Sequence, residues 1–225
     1  HSLGATDIGY TRVDPDRIFK GHTLLFGNAI VFTMEMDYDL ISQAPSIPTY
    51  EEIHRTYCQL GVVVNSVADF LRERGFNAYA GPAIGSEGSF VPLARDAGLG
   101  EVGKNGMIIT EKNGPRVRLA AVYTDIENLP FATENPHGWV RDYCDICNAC
   151  VHACPVDAIF EEPKVAPEGG PVFMDHVACA MPFSNDHGCT VCIKACPFMH
   201  KGRYASLRQR VHASEQTYAD TGVVA

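Results

Sequence analysis

The chain has 225 residues, enough for one large domain or two small ones and enough to bury a core without covalent staples. Apolar residues make up 46% and charged residues 20%, a balance that excludes a disordered or collagenous chain. The 18 basic and 27 acidic side chains give a formal net charge of −9, which argues against a nucleic-acid partner because phosphates reward clustered Lys and Arg.

No stretch approaches the roughly 20 apolar residues of a membrane-spanning helix. The first residue is His1, with no basic-then-apolar leader after it, so the N-terminus is expected to have been cut away. The compartment stays open on this reading: the cytoplasm is favoured, and export or membrane association is compatible with a lost segment.

Asp7 to Val13 alternates with period two and Ala29 to Met36 is rich in β-formers, so both are predicted strands. Thr49-Tyr50-Glu51-Glu52 has the pattern of a capping box and opens the best helix of the chain, which Gly75 closes. Within it Ile53, Tyr57, Leu60, Val64, Val67 and Leu71 form one apolar stripe at helical period. Asn77 to Ala83 is a predicted third strand and Phe90 to Ala97 a short helix ended by Gly98. Four glycines then fall in the nine residues from Gly98 to Gly106, where the backbone must bend sharply or approach something closely. Met107 to Thr110 and Val117 to Asp125 flank an Asn-Gly turn, which predicts a hairpin in a mixed sheet and an α+β fold. Pro130, Pro136 and Gly138 mark a linker at the boundary between residues 1–140 and 141–225, and Tyr204 to Ser214 is a predicted surface helix.

Nine cysteines decide most, because eight of them fall between Cys144 and Cys196. Cys144-Asp-Ile-Cys147-Asn-Ala-Cys150-Val-His-Ala-Cys154-Pro155 is the C-x2-C-x2-C-x3-C-P run with which bacterial ferredoxins hold a cubane [4Fe–4S] cluster. Three thiolates two residues apart wrap three corners of a cube from one tight loop, and the fourth, followed by Pro, is directed to a second cluster. Cys189-Thr-Val-Cys192-Ile-Lys-Ala-Cys196-Pro197 repeats half of the motif, with Cys179 ten residues ahead of it. By the crossing rule of two-cluster ferredoxins, Cys144, Cys147, Cys150 and Cys196 hold one cluster, and Cys154, Cys179, Cys189 and Cys192 hold the other. Structural zinc is the competing reading, since C-x2-C pairs also build tetrahedral sites, and a disulfide framework is a second competitor. Cys58, beside the apolar stripe, is expected to be a small buried hydrophobe.

The nine histidines show no paired metal spacing, and His152, inside the cluster loop, is a candidate for tuning by hydrogen bonding. Tyr57 by its place in the stripe is a core tyrosine with its hydroxyl tied to a neighbour. Lys104 is either solvated or set against a phosphate of a cofactor tail.

Met36-Asp37-Tyr38-Asp39, the long helix from Tyr50, Ala97-Gly-Leu-Gly-Glu-Val-Gly-Lys-Asn-Gly106, Gly114-Pro-Arg-Val-Arg118 and Tyr123-Thr-Asp125, in that order ahead of the cysteine motifs, resemble the corrinoid-dependent reductive dehalogenases. The epoxyqueuosine reductases are similar in the glycine loop and the cysteine order. The resemblance implies a nitroreductase-like α/β domain over residues 1–140 that binds base-off cobalamin, with Gly98, Gly100, Gly103, Lys104, Asn105 and Gly106 as cofactor-binding positions. It implies a ferredoxin-like module with two [4Fe–4S] clusters over 141–225, including a C-terminal helix. Electrons would enter from a ferredoxin, flavodoxin or membrane donor and pass to cobalt through a distal cluster, at Cys154, Cys179, Cys189 and Cys192 or at its partner set, and then a proximal one. A small organic substrate would then lose a halogen or another heteroatom. Tyr57, eighteen residues before Gly75, matches the proton-donating tyrosine of that family, and Lys104 stands where a basic helper is expected. Two alternatives remain: an electron-transfer protein without substrate chemistry, and an epoxyqueuosine reductase-like enzyme. The second is weakened by Ile84 where that family carries an acid, with only Glu87 nearby.

Overall fold

A computed structural model describes residues 2–167 and 169–221, with side chains described to residue 213. The outermost ends assigned above to the two units, residues 1 and 222–225, and residue 168 lie outside the described residues.

Strand β1 (Asp7–Arg12) pairs with β2 (Asn28–Glu35), which continues through Met36 and the short α1 (Tyr38–Ile41) into the long α2 (Ile47–Glu73). β3 (Ala78–Gly81), α3 (Phe90–Asp96), β4 (Glu101–Val102), β5 (Ile108–Ile109) and β6 (Val117–Thr124) complete the first half. One four-stranded sheet runs in the order β1-β2-β6-β3, and every pairing in it is antiparallel. The expected mixed sheet is therefore corrected. The predicted hairpin is corrected too: β5 pairs with β4, with Glu101 opposite Ile109, while β6 leaves to become a central strand of the main sheet. Thr110 and Gly114 still close the intervening turn, so the turn signal was right and the partner strand wrong.

Alternation along β2 and β6 gives the sheet two buried faces. Ile30, Phe32, Met34, Ala120 and Val122 face Leu60, Val63, Val64 and Ala68 of α2, whereas Ala29, Val31, Leu119, Ala121 and Tyr123 face Leu93, Ala94 and Ala97 beside α3. Each fully buried Val, Leu, Ile, Phe or Met side chain among them contributes about 1.5–3 kcal/mol of burial free energy. Arg118 shares its face of β6 with Ala120 and Val122 and so points to the α2 side, and Arg116 stands just before the strand where it reaches the cysteine-rich half.

The α2 helix starts earlier than the capping-box pattern implied. Ser46 is its cap, accepting from the Thr49 amide at 3.3 Å, and Pro48 occupies the first turn. Thr49 is buried and donates from its hydroxyl to the Leu40 carbonyl, and Glu52 is turned inward to accept from the Asp37 amide and from Arg55. The expected capping box of Thr49 and Glu52 is thus overturned by packing against α1. At the other end Gly75, at φ +86°, donates to Arg72 and Phe76 donates to Leu71, the two bonds of a Schellman ending. Cys58 lies on the exposed face of α2, not in the core, because one residue past Tyr57 the helix has already turned away from the sheet.

The second half comprises α4 (Trp139–Cys147), α5 (Ala149–Ala153), β7 (Ile159–Val165), β8 (Pro171–Met174), α6 (His176–Asn185), α7 (Val191–Lys194) and α8 (Arg203–Thr221). β7 and β8 form a separate antiparallel ribbon, and α8 extends further than the predicted Tyr204 to Ser214. The halves are packed on one another. Ile109 joins Trp139, Val140, Phe198, Tyr204 and Leu207 in one core, and a Cβ on Gly114 would stand 2.1 Å from the Phe198 carbonyl oxygen. Arg116, fully buried, ties the sheet to the second cysteine motif by donating from Nε to the Met199 carbonyl at 3.2 Å and from Nη1 to Glu35 at 3.1 Å. Among the described residues no helix is long and apolar enough to cross a membrane.

Candidate metal centre and active site

The eight clustered cysteines gather into two groups around two cavities. Cys144, Cys147, Cys150 and Cys196 line the first, together with Lys104, Asn105, Tyr143 and Phe198. Cys154, Cys179, Cys189 and Cys192 line the second, of about 110 Å³, together with Met107, Arg118, Thr190 and Ile193. These are the two sets that the crossing rule predicts. The local reason is backbone geometry: Asn148, at φ 48°, joins α4 to α5 in a left-handed turn, and Cys189 and Thr190, at φ 38° and 56°, do the same ahead of α7. Each turn folds its thiols inward, and the Cys-Pro that follows each motif carries the last thiol to the other set. The two sets are adjacent, since α5 packs on α7 and Cys192 lies in the electrostatic field of Cys150.

The chemistry of these donors fits iron–sulfur clusters. Burial pushes the Cys144 and Cys192 thiols up to about 12 and raises Cys196 well above the ordinary range, with the neighbouring thiols adding to each shift. Such packed thiols resist deprotonation by themselves, and cations bound between them would relieve that resistance. Asn105 Nδ2 and Thr190 Oγ1 are buried in the two cavity walls without a hydrogen-bond partner, one donor for each cavity, as acceptor sulfides would require. Among the described residues no three His, Cys, Asp or Glu side chains meet at single-ion distance. His152 is exposed.

A third cavity, of about 270 Å³, lies on the sheet side and is lined by Tyr57, Ser86, Phe90, Ile108, Val117 and Arg118. Met107 and Arg118 line both this cavity and the second thiol cavity, so the two adjoin through those side chains. The structure brings Tyr57 together with Arg118, whose guanidinium carbon lies 4.5 Å from the centre of the Tyr57 ring. Nε and Nη2 of Arg118 are buried without partners, and burial lowers its pKa from the ordinary arginine value while the Tyr57 phenol and Glu52 oppose that shift. His54 meets the Tyr57 ring edge-on from the preceding turn.

Lys104 does not meet Tyr57, and its expected role as helper of that tyrosine is revised. It is 3% exposed and turned to the first thiol cavity, where Nζ donates to Asn148 Oδ1 at 2.8 Å. Arg118 takes the place beside the tyrosine. The sequence assigns no partner to the arginines of Gly114-Pro-Arg-Val-Arg118; the signal is the strand alternation that puts Arg118 on the same face as Ala120 and Val122, the face that packs on α2.

The glycine loop is likewise revised as a continuous cradle. A Cβ on Gly100 would stand 2.3 Å from the Ile109 carbonyl oxygen and one on Gly103 2.6 Å from Ile109 Cδ1, so these glycines let β4 approach β5. Gly98, at φ +70°, ends α3, and its carbonyl accepts from His137 Nε2 at 3.2 Å, leaving Nδ1 to accept from the Tyr204 hydroxyl at 2.6 Å. Asn105 lines the first thiol cavity. Gly106 alone of the six positions reaches the open cleft of about 720 Å³ that runs from Arg17 and Arg95 to Arg141 and Phe173 and shares Ser89, Val91 and Met107 with the Tyr57 cavity.

Comparison with known proteins bears on both halves. The 4Fe-4S binding domain family matches residues 138–160. A tetrachloroethene reductive dehalogenase of Desulfitobacterium hafniense is 43% identical over 169 residues, which cover 72% of this chain and 29% of that protein. An epoxyqueuosine reductase of Listeria monocytogenes is 33% identical over 120 residues, covering 49% of this chain and 29% of its own. The solved catabolic reductive dehalogenase NpRdhA superimposes with a TM-score of 0.81 at 22% identity, over 96% of this chain and 33% of that one, and shares its fold. The chain thus spans about a third or less of the length of these proteins.

Proposed function

We propose, on the premise that the chain belongs to the reductive dehalogenase family, that it forms the electron relay and reaction wall of an oxidoreductase that reductively cleaves a carbon–halogen or other carbon–heteroatom bond. The observation that carries this reading is the adjacency of the Tyr57–Arg118 pair to the cavity of Cys154, Cys179, Cys189 and Cys192, through Arg118 itself. In the reading, residues 1–140 form a nitroreductase-like unit and residues 141–225 a ferredoxin-like unit. The two thiol sets would hold two [4Fe–4S] clusters, and a corrinoid, base-off as the family resemblance implies, would lie along the joined cavity and cleft. When bound, these groups supply one-electron steps and a strongly reducing cobalt.

The chain's own residues supply the rest. Tyr57 presents a phenolic proton to the cavity, and the guanidinium over its ring stabilises the negative charge left behind when that proton is given to the substrate carbon. Arg118 also carries unpaired donors at the shared wall, so it can hold an anionic group of a substrate or a departing halide. Phe90, Ile108 and Val117 keep the cavity apolar, which suits a small organic substrate and keeps competing water away. Because the second thiol set adjoins the Tyr57 cavity, it is the proximal one in this reading, and the first set is distal. A low-potential donor such as a ferredoxin, flavodoxin or membrane protein would feed the distal set.

Acid extraction of the anaerobically purified protein followed by absorption spectroscopy tests the proposal. A corrinoid spectrum is expected. If the extract holds none and added cobalamin does not bind, the electron-transfer reading takes its place.

A further inference from the structure

Lys104, Glu52 and Arg116 are the Lys, Arg, Asp or Glu side chains buried among the described residues. Glu52 has Arg55, and Arg116 has Glu35, as a close partner of opposite charge. Lys104 has less. Its Nζ donates to Asn148 Oδ1 at 2.8 Å and to the Asp145 carbonyl at 3.4 Å, and the nearest carboxylate oxygen, Asp145 Oδ1, is 3.9 Å away. That carboxylate is 51% exposed and is shared with Arg141 at 3.8 Å. The ammonium is therefore neutralised only in part, and it lies in the wall of the cavity of Cys144, Cys147, Cys150 and Cys196. Its backbone amide donates to the Cys144 sulfur as well.

Two consequences follow from this placement. Asn148 is the left-handed residue between Cys147 and Cys150, so a lysine that holds its side chain fixes the turn that aims those thiols. A cubane that takes up one electron gains one negative charge with no bond made or broken. A cation shut away from solvent beside it favours that gain more than an exposed one could.

We propose that Lys104 is a positioning residue for the cluster held by Cys144, Cys147, Cys150 and Cys196, clamping the Asp145–Asn148 turn and raising that cluster's reduction potential through its buried charge. The inference rests on the two-cluster reading given above. It separates Lys104 from proton donation at Tyr57 and assigns the Gly103–Asn105 stretch of the loop to the iron–sulfur side of the molecule.

An EPR-monitored redox titration of the anaerobically reconstituted chain, with dithionite as reductant, tests it on Lys104→Gln, Lys104→Arg and Asp145→Asn. Lys104→Gln keeps a donor for Asn148 and loses the charge. Its iron content should match the parent, while one of the two cluster signals becomes about tenfold harder to reduce, about 59 mV for one electron. Lys104→Arg, which keeps the charge, should move that signal less than about threefold, and Asp145→Asn should move it the opposite way by a similar small factor because the carboxylate is half exposed. Unchanged potentials for both signals in an iron-replete Lys104→Gln overturn the proposal. If Lys104→Gln fails to assemble the first cluster, Asp145→Asn decides: a positive shift supports the proposal and no shift overturns it. A parent chain that takes up no iron overturns the cluster reading beneath it, an outcome told apart by iron analysis before any titration.

Discussion

The Arg118 guanidinium lies over the face of the Tyr57 ring, 4.5 Å from its centre, and the same arginine lines the cavity of the second cysteine set. One side chain thus links the candidate proton donor to the candidate electron source. On the proposed function, replacing Tyr57 by Phe removes the proton and keeps the ring, so iron content and any bound corrinoid should persist while reductive turnover falls by about 10²–10⁴. An unimpaired Tyr57→Phe variant would remove the residue from the mechanism. Arg118→Met should lower turnover in the same direction, and Arg118→Lys should recover part of it, because charge is what the position supplies.

Gly114 combines a φ of +55° with a virtual Cβ 2.1 Å from the Phe198 carbonyl oxygen. Alanine there must push the Thr110–Gly114 turn away from the segment that follows Cys196. A loss of about 1–3 kcal/mol is expected, as for other overpacked sites, together with weaker iron retention. Chemical denaturation and iron analysis of Gly114→Ala check this, and a variant as stable as the parent contradicts the tight contact between the two halves.

Glu52 accepts from the Asp37 amide at 2.7 Å and from Arg55 at 2.6 and 2.7 Å while its own side chain is buried. Truncation to alanine leaves the Asp37 amide unpaired at the start of α1 and should cost about 1–3 kcal/mol in thermal or urea unfolding. Substitution of the neighbouring, exposed Glu51 should cost far less, and equal effects at the two positions would count against this assignment.

Tyr123 is buried in the sheet face opposite α2, where burial pushes its hydroxyl up to about 12 although Ser86 at 3.0 Å opposes the shift. A pKa raised on folding means that the unfolded chain loses this proton first. The contribution of Tyr123 to stability is therefore complete below about pH 10 and fades as pH rises towards 12. Unfolding measured across that window should show a steeper alkaline loss for the parent than for Tyr123→Phe. Parallel curves would contradict it.

What could be read from the chain and what could not divides along sequence separation. The cysteine sets were legible because ligand spacing within a turn is local, and the crossing of Cys154 and Cys196 follows from the motif itself. The strands of the main sheet and the α2 stripe were legible from periodicity, since Ile53, Leu60 and Val64 all proved buried. The partner of β5 was not, because a turn signal fixes the bend and leaves open which strand lies alongside after it. Neither was the direction of Lys104, which depends on Asn148, forty-four residues later. Cys58 is exposed for a simpler reason: a residue next to a helical stripe is rotated about 100° away from it, so adjacency in sequence is not adjacency in space. Arg118 was visible as a residue and invisible as a partner, because Tyr57 reaches it only once α2 has packed on the sheet.

The most direct measurement of the central claim is Mössbauer spectroscopy, with total iron and acid-labile sulfide, on the chain reconstituted anaerobically with ⁵⁷Fe. The account predicts about eight iron atoms per chain, all in [4Fe–4S] clusters, four from each cysteine set. Two tightly held zinc atoms, or iron that never exceeds about four per chain in the fully reconstituted protein, would contradict it.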